Sequence, residues 1–546
     1  MDALTQLADD YYAFATSDSP LGLMWGGKLD HLAEWDDFSP DAVERRKARY
    51  LEFAGAADAL EVGDDPYAIA LRDSIATGAR AAALGLTWDA ELFQISPKMG
   101  LVEMCLSFIG SYPLATAEHG EQYLEKLRRM PEALTVLADA ARAAAGEGRV
   151  ATARQLGATA DSIDAYLASP PGPEERLCCQ EAPTAVGAEA AAAWREARDA
   201  IVATTVRDGL MAFGAALREL AAKGRPDEKP GLCHLPGGLE VYRGMMWANL
   251  LTDHTPDDVH QIGLAKIAEL EDEYRAVAGP LFGLTEISAI YSRLRDDPAL
   301  TYTSAEAIVA DAEAALARAT VAAADWFGTT PVSKCPAFAT DYGAMAYYST
   351  PDLEIGKGAA FYFNTSDPTA WTTFELESVT FHEAIPGHHL QFALHAENPR
   401  LHKVQREFFN TAYAEGWALY TERLADEMGL YSSELDRIGM LSGDSQRACR
   451  LVVDTGIHAF GWGREEAIQY MVDHSPMHRN HIEQEVDRYI ALPGQALSYM
   501  IGRIEIEAIR AEAEARPGFD IREFHDSLMR YGPVPLPTLR RLVLGG

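Results

Sequence analysis

Few cysteines, few basic residues and no long uncharged apolar run mark this chain of 546 residues, and each shortage excludes something. Its six cysteines, Cys105, Cys178, Cys179, Cys233, Cys335 and Cys449, include no C-x-x-C pair, so they read as buried thiols of a reducing compartment. Lys and Arg number 47 against 82 Asp and Glu, a net charge of −35. The field of such a molecule repels phosphate backbones and anionic lipid headgroups, so neither nucleic acid nor a membrane surface is expected as a partner. No uncharged apolar stretch reaches the roughly 20 residues of a membrane span, and the opening MDALTQLADD is acidic where a targeting segment would be basic. The location expected on these grounds is the cytoplasm. With 43 Gly and 28 Pro the chain is also too poor in both to be low-complexity.

What is there is helix. Ala-rich amphipathic stretches such as 305–327 hold their Gly and Pro between segments, not within them. The expected fold is mainly α, a large two-lobed body. Residues 1–240 form an N-terminal helical region and 241–546 carry the chemistry, the two lobes of one continuous fold separated by Pro- and Gly-rich connections. The β signal is confined to AMAYYS (344–349) and AAFYFN (359–364), read as an antiparallel hairpin whose AAFYFN edge is free to pair with an extended peptide.

Directly after it comes HEAIPGHH, residues 382–389. Two histidines four apart on a helix face one metal, as in H-E-x-x-H, but here the spacing is two residues longer. Residues six apart on an unbroken helix point roughly 240° away from each other. Pro386 removes a backbone donor and clashes with the preceding turn, so the helix must bulge or end there, with Gly387 free to adopt an unusual backbone angle. His382 and His388 can then face one another, with His389 as the rival to His388, and Glu383 beside them is a base for metal-activated water. The next helix sets Glu415 and Glu422 seven apart on one face among aromatic residues. Either can be the oxygen ligand, although Glu422 reads better as half of a surface salt bridge, for instance with Arg423.

HEAIPGHHLQ, EGWALYTE, RLVVDTGIHAFGW and RYIALPGQALSYMIGR, in that order, resemble the bacterial DUF885 family, which is placed by similarity among the gluzincin-like metallopeptidases. The resemblance implies a helical cleft with one divalent ion, zinc, on its floor, held by His382, His388 and Glu415, and Glu383 as general base. The stretched H-E-x-x-x-G-H spacing is similar to that of dipeptidyl peptidase III, which favours His388 over His389. Leu419 stands where many gluzincins carry an Asp that orients a ligand histidine, so that partner must come from elsewhere. Arg450, Asp454 and His458 lie four apart on one helical face, and Asp454 or His458 is a candidate for a place near the metal. Tyr499, His458 and Tyr489 are candidate oxyanion donors, Arg503 a holder of a peptide carboxylate, and Asn364 a substrate contact at the strand end. The function implied is metal-dependent hydrolysis of short peptides by a monomer or homodimer. The alternatives are a hydrolase of a non-peptide amide or ester, a non-catalytic peptide-binding protein, and a purely structural metal site closed by four protein ligands.

Overall fold

The computed structural model describes residues 2–545 apart from 26–27, 98–99, 110–111, 173–174, 342–343, 355 and 408. It is mainly helical with one small sheet. The Ala-rich segment forms the helix Ala305–Trp326, capped by the Ser304 hydroxyl, which accepts from Ala307 N at 3.2 Å. Its buried stripe is Ile308, Ala312, Ala315, Ala319 and Ala323. Side chains this small let a neighbouring helix approach closely, and that neighbour is Leu376–Glu383, the helix that carries His382.

The hydrophobic cores do not divide at residue 240. One core holds side chains from Leu21 to Leu220, with Tyr123, Leu137, Leu156, Ile163 and Leu210 at its centre. The helices Ala3–Asp18, Pro40–Asp58 and Pro66–Gly85 instead share a small core that Val404 enters. They lie on the C-terminal half: the Tyr67 ring meets Tyr531 edge-on at 5.1 Å, and Thr538 Oγ1 donates to Asp73 at 2.8 Å. The longest apolar helical run, 188–221, continues through a π turn at Val202–Val206. By length and composition it is apolar enough to cross a membrane even though charged residues such as Arg207 and Asp208 interrupt it, but Val202, Val206, Leu210, Phe213 and Leu217 are packed into the first core.

The sheet has three strands, β1 (Ala337–Thr340), β2 (Ala346–Ser349) and β3 (Ala360–Asn364), in the order β1-β3-β2. β2 and β3 pair antiparallel with Tyr347 opposite Tyr362, as the hairpin reading expects. β1, with its short AFAT sequence, adds in parallel on the other side, with Ala337 opposite Phe361. β3 is therefore the central strand, and the expectation that it offers a free edge to a peptide is corrected. Alternation along β3 buries Phe361 and Phe363 with Trp371, Leu376 and Ala384. Tyr362 faces the other way and stacks on Tyr347 at 4.9 Å.

The helices Thr411–Glu427 and Ser498–Glu514 cross with no side chain between them at Gly416 and Gly502. A Cβ on Gly502 would lie 2.0 Å from the Ala412 carbonyl oxygen, so backbone meets backbone. Gly502→Ala is expected to force these helices apart at a cost of about 1–3 kcal/mol, read as a lower midpoint in urea unfolding. A midpoint equal to that of the parent protein would show that the crossing is looser than described.

Candidate metal centre

The helix Leu376–Glu383 stops where the sequence requires it to. Ala384 N makes the last regular bond, to Thr380 O at 2.9 Å, the chain turns through Ile385, Pro386 and Gly387, and a second helix runs from His388 to Glu397. Of the two outcomes expected at Pro386, an inserted bulge or an end, the helix ends. Gly387 passes so near the first helix that a Cβ there would sit 1.9 Å from His382 O and 2.4 Å from Phe381 O. Trp417 clamps the turn by donating its indole N–H to Pro386 O at 3.1 Å and Gly387 O at 3.2 Å. The break brings the His382 and His388 rings to 4.9 Å between centroids at an interplanar angle of 87°.

Glu415, one turn into its helix, completes the group. Its Oε2 lies 3.6 Å from His382 Nε2 and 3.4 Å from His388 Nε2, and one donor atom from each residue falls within 4.8 Å of the others. These separations exceed the roughly 2.7–2.9 Å of a charge-assisted hydrogen bond. They match the roughly 3.4 Å expected between two ligands of one tetrahedral ion at about 2.1 Å. Two imidazole nitrogens and a carboxylate oxygen are also a zinc donor set. Burial alone would raise the Glu415 pKa, yet His382 and His388 hold it well below the usual carboxylate range.

His382 is fixed from behind by a residue whose role the sequence did not give. Its Nδ1 donates to Glu422 Oε1 at 2.8 Å, and the other Glu422 oxygen accepts from Ser378 Oγ at 2.6 Å. Glu422 is buried, not a surface partner of Arg423, which pairs instead with Asp444 and Glu273. The signal was present in the sequence: seven residues are close to two turns, so Glu415 and Glu422 approach the same histidine from opposite sides. Glu422 supplies the carboxylate that Leu419 cannot. Burial lowers the proton affinity of His382, but Glu415 and Glu422 outweigh it and raise its pKa to about 9. Nδ1 of His388 is buried with no hydrogen-bond partner.

Glu383 is half-buried and forms no hydrogen bond or ion pair with the described residues. A titratable neighbour is Cys335, whose thiol burial and the Glu383 charge push up to about 12. His389 turns from the cluster to the sheet, with Nδ1 at 3.1 Å from Tyr348 Oη and Nε2 at 3.0 Å from Ser333 O. Both of its nitrogens are occupied, and the histidine that groups with His382 and Glu415 is His388. Tyr499 remains beside the cluster, its ring 6.4 Å from that of His382 at 21°, with the Arg450 guanidinium 4.6 Å from its centroid.

The other expected residues serve the scaffold. His458 accepts from Leu232 N at Nδ1 (3.2 Å) and donates from Nε2 to Tyr489 O (3.1 Å), leaving nothing for an oxyanion. The buried Tyr489 hydroxyl lies between Arg450 Nε (2.8 Å) and Glu485 (2.9 Å). Arg503 is buried in an ion pair with Asp444, so it is not placed to take a peptide carboxylate. Asn364 Oδ1 accepts from Ser366 N at 2.9 Å and so closes its own turn. Asp454 accepts from Tyr242 Oη at 2.6 Å and from Gly494 N at 3.1 Å, and burial pushes its pKa up to about 7. It ties three segments together.

The model of the family described as bacterial protein of unknown function, DUF885, matches residues 20–543. Among solved structures, a candidate lipoprotein from Colwellia psychrerythraea is 24% identical with a TM-score of 0.91, covering 99% of this chain and 98% of that one. A candidate lipoprotein of unknown function from Shewanella oneidensis is 18% identical with a TM-score of 0.75, each chain covered in full. These likenesses show a shared fold. No curated protein matches the chain.

The buried His458 has a consequence for acid stability. Burial lowers its pKa from 6.5 to about 3, so the native state refuses a proton that the unfolded chain binds. Its contribution is present above pH 6.5 and is lost as pH falls towards 3, at up to about 1.4 kcal/mol per pH unit. His458→Gln is expected to flatten the fall of urea-unfolding free energy between about pH 6 and pH 4 by close to one proton. An unaltered slope would mean that His458 is already protonated in the native protein.

Proposed function

Starting from a chain that belongs to the bacterial DUF885 family, we propose that it is a metal-dependent hydrolase, a zinc peptidase acting on short peptides. The observation that carries this reading is the convergence of His382, His388 and Glu415 at ligand-to-ligand distances, with the carboxylate of Glu383 left unengaged beside them. A purely structural ion would call for a fourth protein ligand, whereas among the described residues the group able to share an ion consists of these three alone.

Zinc, when bound, supplies Lewis acidity that polarises a carbonyl and makes water nucleophilic near neutral pH. The chain's own residues do the rest. Glu422 holds the proton on His382 Nδ1 and thereby keeps the Nε2 lone pair directed at the cluster. Glu383 accepts the proton of the attacking water and returns it to the leaving amine. Tyr499 is the donor left beside the cluster for the developing oxyanion, a role worth roughly 3 kcal/mol where such a group has been removed. His458, Tyr489, Arg503 and Asn364 have no part in it. The short peptide as substrate and the cytoplasmic location belong to the same proposal; the lipoprotein description is that of the two solved structures.

Purified protein is expected to hold one zinc per chain and to hydrolyse members of a short-peptide panel, with activity lost to a chelator and restored by zinc. Glu383→Gln is expected to keep the zinc and lose about 10²–10⁴-fold in turnover. A protein that binds no zinc and hydrolyses no peptide, amide or ester after reconstitution refutes the reading. Glu422→Gln leaves the three ligands in place but removes the charged acceptor behind His382. It is expected to weaken zinc about 10–100-fold in a competition titration with a chelating dye.

A further inference from the structure

A cavity of about 350 Å³ lies between the helices Pro66–Gly85 and Gly238–Leu250 and the start of the Glu415 helix. That is the small end of the range for ligand pockets, about 300–1,000 Å³. Two contacts tie it to the metal centre. Thr411 in its wall lies one helical turn before Glu415 and so shares its face. Phe409 at its rim, an exposed aromatic, stacks on Phe392 at 5.8 Å, and Phe392 in turn packs on the His388 ring at 5.5 Å.

The lining states what the cavity can hold. Among the described residues, no Asp, Glu, Lys, Arg or His contributes to it, which is unusual in a chain with a net charge of −35. Its polar side chains are largely engaged elsewhere. Ser74 donates to Pro533 O, Thr77 to Asp73 O and Tyr50 to Asp18, while Asn410 caps the Glu415 helix with its oxygen and donates to Val534 O. A polar or charged occupant would give up its hydration and find few partners in return, whereas an apolar one gains about 25 cal/mol for each Å² it buries.

We propose that this cavity is the specificity pocket of the centre, taking an apolar side chain of a short peptide whose scissile bond lies at His382, His388 and Glu415. The proposal rests on the peptidase reading for the bond that is cut, but not for what the pocket prefers. Binding energy gained here, in a cavity whose wall includes Thr411 one turn before Glu415, can be used to place the scissile carbonyl.

The test is calorimetric binding of the dipeptides Gly-Phe, Gly-Leu, Gly-Lys and Gly-Asp to the zinc-loaded Glu383→Gln protein, alongside hydrolysis of the same four by the parent enzyme. Two variants fill the cavity from different walls, Ala81→Phe and Ala248→Phe, each checked for zinc content and thermal midpoint so that one misfolded variant does not decide the result. Gly-Phe and Gly-Leu are expected to bind at least tenfold tighter than Gly-Lys and Gly-Asp, and that ratio is expected to fall below threefold in a folded variant. Equal affinities across the panel, or a preference untouched by either folded variant, overturns the pocket assignment even if peptides are cleaved. A retained, variant-sensitive preference with no cleavage supports the pocket and counts against the peptidase.

Discussion

At the carbonyl of His382 the backbone of Gly387 passes with room for a hydrogen atom and nothing larger. The grouping of His382, His388 and Glu415 depends on that close pass. A continuous helix would send residues 382 and 388 to different sides of its axis, and no placement of Glu415 could reconcile them. Because the first helix ends at Glu383 and the second begins at His388, both imidazoles sit at helix ends that face each other. Trp417, on the same helix as Glu415, holds the intervening carbonyls. The ligand helix thus both supplies the carboxylate and fixes the turn that positions its partners.

Much of this was legible in the residues themselves. Proline followed by glycine two residues before a histidine pair dictates a break, and the break dictates which histidines can meet. The candidates for an oxygen ligand were narrowed to two carboxylates, and both meet His382, Glu415 on the side shared with His388 and Glu422 from behind. What sequence could not supply is depth. Glu422 next to an arginine looks like a surface pair, and only packing shows that Arg423 is drawn off by Asp444 and Glu273 while Glu422 turns inward. β1 was missed because four residues of AFAT carry little strand preference on their own, and the segment is a strand because β3 is there to pair with it.

Four residues that the sequence offered for a place at or near the centre share one feature. Asp454, His458, Tyr489 and Arg503 are polar, and all four are buried. In a sequence, a polar residue within an apolar helical stripe looks like chemistry. In this body each is held by backbone, a hydroxyl or an opposite charge, which is the condition for burying it at all. Glu383 differs in having no such partner. The distinction between polar groups that hold the fold and those free to act is a matter of satisfied hydrogen bonds, and it is invisible until the fold is known.

The apolar cavity is walled by helices from the first eighty-five residues and by Pro533 and Pro535 from the other end of the chain. Chain synthesis runs from the N-terminus, so the early helices leave the ribosome hundreds of residues before the surface they dock on exists. Their contacts span almost the full polypeptide, the slowest kind to close. The walls of this cavity can therefore meet only after the end of the chain has been made, later than the segments that carry His382, His388 and Glu415 have left the ribosome.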